Sequence, residues 1–169
     1  LTAHNPAKAL DGFILYSPLN VPLTLLLDRR GEVVHRWTHD VDAGQWAYLL
    51  PNGNLFYMAK VRDENWQLWP TFRYFKGGAM REITWDGKIV WEHRDPFQHH
   101  DARRTPEGGV IYLSTERIPA EISKKIKGGH AVGDAPMYAD KVVEVDANGK
   151  VIWEWRALDH LDPESEPTM

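Results

Sequence analysis

Apolar and polar side chains alternate with a period of two over much of this chain, the spacing of strands with one buried face. One arrangement recurs three times: an alternating run, a turn containing Asp or Gly, and a second run ending in large side chains. The copies span residues 25–37, 82–93 and 142–155, around the turn glycines Gly31, Gly87 and Gly149. Asp, Asn and Gly supply the backbone angles of a tight turn, so each copy predicts a β-hairpin. A second pattern interleaves with the first. Leu50-Pro51-Asn52-Gly53-Asn54-Leu55 inside 47–58 matches Thr105-Pro106-Glu107-Gly108-Gly109-Val110 inside 102–113. Two alternating hairpins make a four-stranded unit, the size of one propeller blade.

The expected fold is all-β: a partial β-propeller of about two and a half four-stranded blades, the outer part of one (12–37) and two fuller ones (45–93 and 99–155). Propellers close with roughly four to eight blades, so a companion chain is expected to carry the rest. A small sandwich of the same hairpins is the alternative. Residues 1–169 read as the N-terminal portion of a single propeller domain with insertions at 60–80 and 115–140. The first insertion crowds Trp66, Trp69, Phe72, Tyr74 and Phe75 beside Arg62, Arg73 and Lys76. It reads either as a lid over a flat substrate or as a satellite apolar cluster. The second holds a short helix over 120–127 after Pro119, then a glycine-bordered loop with His130. In an up-and-down blade, the start of the first strand and the link between strands two and three lie on one face. Both insertions and the start of the 99–104 strand therefore converge there, and the first strand lines the axis.

That strand carries the densest chemistry, Gln98-His99-His100-Asp101-Ala102-Arg103-Arg104. The catalytic candidates are His99, His100 and Asp101. Arg103, Arg104, His130, Trp66, Trp69 and Arg73 are candidates for binding a small aromatic or anionic substrate. Neighbours on a regular strand point to opposite sides, so one histidine at most would face the axis. The plainer reading is two histidines bracing blade contacts, one of them oriented by Asp101. No metal site is expected, because adjacent residues of one strand seldom chelate the same ion. Gly128-Gly129 and Gly133 follow no strand-to-helix phosphate turn, and no cofactor is expected. Trp37, Trp91, Trp153 and Trp155 are expected to pack between blades, and Asp28, Asp86 and Asp146 to shape the turns.

Composition narrows the class further. A 43% hydrophobic and 26% charged chain with net charge −4 is globular and lacks the basic excess of a nucleic-acid binder. With no cysteine, disulfides and thiolate chemistry are excluded within the chain. The apolar runs are far short of the ~20 residues of a membrane helix. The compartment, periplasmic or cytoplasmic, is left open.

The phrase His99-His100-Asp101-Ala102-Arg103, followed by Pro106-Glu107-Gly108-Gly109 and an apolar strand, resembles the bacterial arylsulfotransferase family and its six-bladed relatives. Residues 26–37 and 50–55 are similar to the same family. The resemblance implies transfer of a sulfuryl group between phenols without a nucleotide sulfate donor. It also implies a nucleophilic histidine, with other His, Asn and Arg residues holding the sulfate oxygens. His99 or His100 would be an auxiliary site histidine, with the nucleophile beyond Met169. Residues 153–163 resemble the lead-in to that region, which implies an N-terminal portion of a longer propeller. Three functions follow as expectations. The first is group transfer or hydrolysis on an aromatic or anionic substrate, with axial histidines as base or stabiliser and Arg103 or Arg104 as anion clamp. The second is an amide or ester hydrolase formed by self-cleavage near Met169, whose new chain-terminal amine serves as base. The third is a non-catalytic propeller that binds a ligand or protein.

Overall fold

The computed structural model describes residues 5–65, 68, 71–126, 136–162 and 164. Trp66, Trp69 and His130, with the loop around His130, lie outside the described residues. The described residues form three antiparallel sheets and little helix, the nearly all-β architecture expected of a partial propeller. They divide between two compact units, Leu1–Pro96 and Phe97–Met169.

The first unit holds two sheets. One has three strands, β1 (Ile14–Tyr16), β2 (Leu23–Leu27) and β3 (Val33–Thr38). The other has four, β4 (Ala43–Leu49), β5 (Leu55–Lys60), β6 (Gly78–Ile83) and β7 (Ile89–Arg94). The second unit is one four-stranded sheet, β8 (His99–Arg104), β9 (Val110–Arg117), β10 (Tyr138–Val145) and β11 (Val151–Arg156). In every sheet each strand pairs with its neighbour in sequence, the up-and-down order of a blade. The three predicted hairpins are β2–β3, β6–β7 and β10–β11.

The turn chemistry explains why these pairs form. Gly87 and Gly149 adopt φ of 86° and 81°, a region that side chains with a Cβ rarely enter. Three residues before the turn glycine, a short polar side chain braces the loop. Asp28 Oδ1 accepts from the amides of Arg30 at 2.8 Å and Glu32 at 2.9 Å. Asp146 Oδ1 does the same with Asn148 at 2.9 Å and Lys150 at 3.0 Å. In the middle hairpin Thr84, not the expected Asp86, holds this position, its Oγ1 accepting from Lys88 N at 3.0 Å.

Trp37 packs between the first two sheets, as expected. It is 1% exposed, and its indole nitrogen donates to the Thr84 carbonyl at 3.1 Å. His35 donates to the Trp85 carbonyl at 2.9 Å and stacks on the Trp85 ring at 3.8 Å. The outer strand of one sheet thus reads the hairpin of the next, and Leu26, Leu55, Tyr57 and Ile83 close the core around Trp37. Trp155 differs, stacking on His160 with ring centres 5.0 Å apart.

One connection joins β5 to β6 and another joins β9 to β10. The first carries helix α1 (Phe72–Phe75), and two buried lysines fasten it. Lys60 Nζ donates to Asn20 Oδ1 and the Arg73 carbonyl, each at 2.9 Å. Lys76 Nζ lies 3.3 Å from Asp63 and donates to the Pro96 carbonyl. Lys76 therefore holds the insertion in place. The second insertion carries helix α2 (Ala120–Ser123), shorter than the 120–127 expected.

Candidate functional site: a bulged strand with paired histidines

The pairing of β8 with β9 jumps at the histidines. His99 faces Leu113 and Ala102 faces Tyr112, so His100 and Asp101 have no opposite residues. This is a bulge, and His100 sits in it with φ of 54°, uncommon for a non-glycine residue. Gln98, fully buried, steadies the bulge. Its side-chain amide donates to the His99 carbonyl at 3.1 Å and points at the Asp101 carbonyl at 3.5 Å.

The expectation that His99 and His100 point apart is overturned by this backbone. Their Nδ1 atoms lie 2.8 Å apart, with the rings edge to face. His99 is buried and His100 exposed. Asp140, from β10, places Oδ1 3.3 Å from His99 Nε2. A chain of three groups results: carboxylate, buried imidazole, outer imidazole. The His99 ring beside it holds Asp140 below the ordinary carboxylate range, against the opposing effect of burial. Burial, and then the neighbouring His99, push His100 below the usual histidine value, while Asp140 pulls the other way.

The other sequence candidates take different places. Asp101 turns to its own strand: Oδ1 accepts from Ala102 N at 2.8 Å, and Oδ2 lies 3.2 Å from Arg103 Nη2. The carboxylate that faces the histidines is Asp140 instead. Arg103 is exposed beside Asp101, on the histidine strand. Arg104 donates to the carbonyls of Gly108 and Gly109, bracing the β8–β9 turn. Arg73 belongs to the first unit, where it donates to the Tyr74 hydroxyl at 2.8 Å and lies over that ring. A cavity of about 260 Å³ adjoins Asp140, lined by Ile118, Ile122, Ile126, Leu158 and Leu161. Among the described residues, no three His, Cys, Asp or Glu side chains converge as a metal site.

The family model for arylsulfotransferase (ASST) matches residues 2–169. The chain belongs to the arylsulfotransferase family. The match covers both units and the histidine strand. Among solved structures, the chain is similar to a protein of unknown function from Bacteroides caccae, with TM-score 0.52 and 13% identity. That alignment covers 95% of this chain and 50% of the other, so the chain spans half the length of that protein. At this identity the likeness shows the fold alone. No curated protein matches the chain.

Two members of this candidate site were not singled out from sequence. Asp140 lies about 40 residues from the histidines, at the far edge of an insertion. Its signal was the register: counting back from the Gly149 turn places it opposite Thr115, on the same face as Leu113 and His99. Gln98 was visible beside the histidines, but its role depends on a bulge that no glycine announces.

Proposed function

We propose that this chain is part of an arylsulfotransferase-like enzyme that transfers a sulfuryl group between phenols, with the histidine pair of β8 at the reacting centre. In this reading His100 acts as proton acceptor or electrostatic stabiliser, with His99 behind it. Arg103 is the cation on the same strand able to meet a sulfate oxygen. In this reading a further stretch of polypeptide supplies the nucleophile and the remaining blades. The observation that carries the proposal is the contact of 2.8 Å between the two imidazoles, backed by Asp140. A merely structural pair has no need of a strained outer histidine: φ of 54° is tolerated at His100 where the fold gains from placing that ring. Family membership over residues 2–169 supplies the reaction class.

The test is sulfuryl transfer from an aryl sulfate to a phenol by the complete protein and by His100→Ala and His99→Ala. A positioned acid–base group contributes about 10²–10⁴-fold. A fall in kcat of that order is expected for His100→Ala, with a smaller one for His99→Ala. Unchanged turnover in both variants assigns the pair to structure. A protein that binds aryl sulfates without turning them over supports the binding-only alternative.

A further inference from the structure

We propose that Asp140 is the positioning residue of the histidine pair, fixing the tautomers of both imidazoles so that His100 Nε2 is their basic nitrogen. The catalytic consequence rests on the function proposed above; the tautomers themselves do not.

The argument begins with register. His99 lies opposite Leu113 on β9, Thr115 is two residues further along, and Asp140 lies opposite Thr115. Side chains on a strand return to the same face every second residue. His99 and Asp140 therefore share a face across β9, which lets the ring reach the carboxylate at 3.3 Å.

Hydrogen counting does the rest. Asp140 lies at ion-pair distance from His99 Nε2, and an ionised carboxylate repels a lone pair, so the hydrogen of a neutral His99 belongs at Nε2. In a neutral ring that leaves His99 Nδ1 with a lone pair. The partner atom 2.8 Å away is His100 Nδ1, and two lone pairs do not face each other at that distance. His100 Nδ1 therefore carries a hydrogen and donates it. A neutral His100 protonated at Nδ1 has its lone pair at Nε2. Turning either ring's tautomer round would set a lone pair against the carboxylate or against the other imidazole.

The arrangement moves one proton in two hops. The proton of an acceptor hydroxyl passes to His100 Nε2, and the hydroxyl oxygen keeps the electron pair of its O–H bond. The hydrogen on His100 Nδ1 passes to His99 Nδ1. His100 ends neutral, as the opposite tautomer, and His99 ends as an imidazolium beside the Asp140 carboxylate. The reverse path returns a proton to a departing phenolate. In this role Asp140 acts through His99. Asp101 and Arg103 of the same strand pair with each other at 3.2 Å.

The experiment compares the complete protein with Asp140→Asn and Asp140→Glu. Nitrogen-15 spectra of the imidazoles report which ring nitrogen carries hydrogen. The native protein is expected to show hydrogen on His99 Nε2 and on His100 Nδ1. Asp140→Asn keeps the size, removes the charge and offers an amide donor, so a mixed or reversed tautomer pair is expected. The kcat/KM of sulfuryl transfer should fall by about 10²-fold. The acid limb of its pH profile should move to lower pH, because the charge that stabilised the added proton is gone. Asp140→Glu should restore the native tautomers. Combining Asp140→Asn with His99→Gln should cost no more than the worse single change, since the groups act as one unit. A native spectrum with His99 Nε2 unprotonated overturns the proposal, as do unchanged tautomers in Asp140→Asn. If no sulfuryl transfer occurs at all, the proposed function fails while the spectra still decide the role of Asp140.

Discussion

Acidifying the protein from pH 7 toward 4 will drain stability from the first unit through one side chain, His39. Its ring stacks on Tyr57 with centres 3.8 Å apart, and Nε2 lies 2.9 Å from Thr24 Oγ1. Thr24 is fully buried, and its hydroxyl meets Ser17 Oγ at 3.1 Å. Burial, then the positive charge of Arg81, push the histidine from 6.5 down to about 4, with Asp40 acting in the opposite sense. An unfolded chain takes up this proton near pH 6.5, and the folded one waits until about pH 4. Between those values the unfolded state binds more protons, so stability falls as pH falls, and the loss is complete below the lower value. At about 1.36 kcal/mol per pH unit the ceiling is roughly 3.4 kcal/mol. The ring is only partly buried, and screening by water brings this to ~1.5–2 kcal/mol. Asp40, held low by Arg81, and Glu92, held low against burial by Arg94 and then Arg81, also lose stability in acid, but only below the ordinary carboxylate range. The assay is urea unfolding of the complete protein at steps from pH 7 to 4.5, native against His39→Gln. The native midpoint should slide more steeply than the variant's. Parallel slopes, or a His39 resonance titrating near its ordinary value in the folded protein, would refute the reasoning.

Two further outcomes follow from the packing. Trp37→Ala should cost about 3–5 kcal/mol of unfolding free energy, the usual loss for a buried aromatic, and Trp37→Phe about 0.5–1.5, for one lost hydrogen bond, since the Thr84 carbonyl keeps the Gly87 amide as donor. A denaturation shift under about 1 kcal/mol in Trp37→Ala would mean that this ring does not join the two sheets. Gln98→Ala should cost about 1–3 kcal/mol, because a bulge carbonyl loses its buried donor. It should also displace the imidazole signals of His99 and His100; signals that stay put would show that the bulge holds without the amide.

The strands were legible because their chemistry is local. Period-two alternation and a turn residue three positions before glycine suffice for a hairpin, and the interleaved copies reveal the blade. Trp37 was legible for the same reason, being a large side chain at a repeated position. The site was legible only in part. His99 and His100 stand out as residues, but their geometry arises from two unpaired residues on β8, and no glycine marks the left-handed backbone at His100. Asp140 escaped because its partnership is made across three strands, and a carboxylate beside an insertion looks like any solvated surface acid. Thr84 in place of Asp86 shows the limit on the fold side: composition names the turn, while position within it decides which oxygen braces the loop.

The docking of His35 and Trp37 onto Thr84 and Trp85 also bears on how the chain comes off the ribosome. The two indole and imidazole contacts join residues 47 and 50 positions apart. The opening three-stranded sheet therefore emerges with its largest ring bare. It must wait for nearly fifty more residues before that ring is sheathed. During that interval the nascent segment offers a sticky aromatic edge to any chaperone waiting at the tunnel mouth.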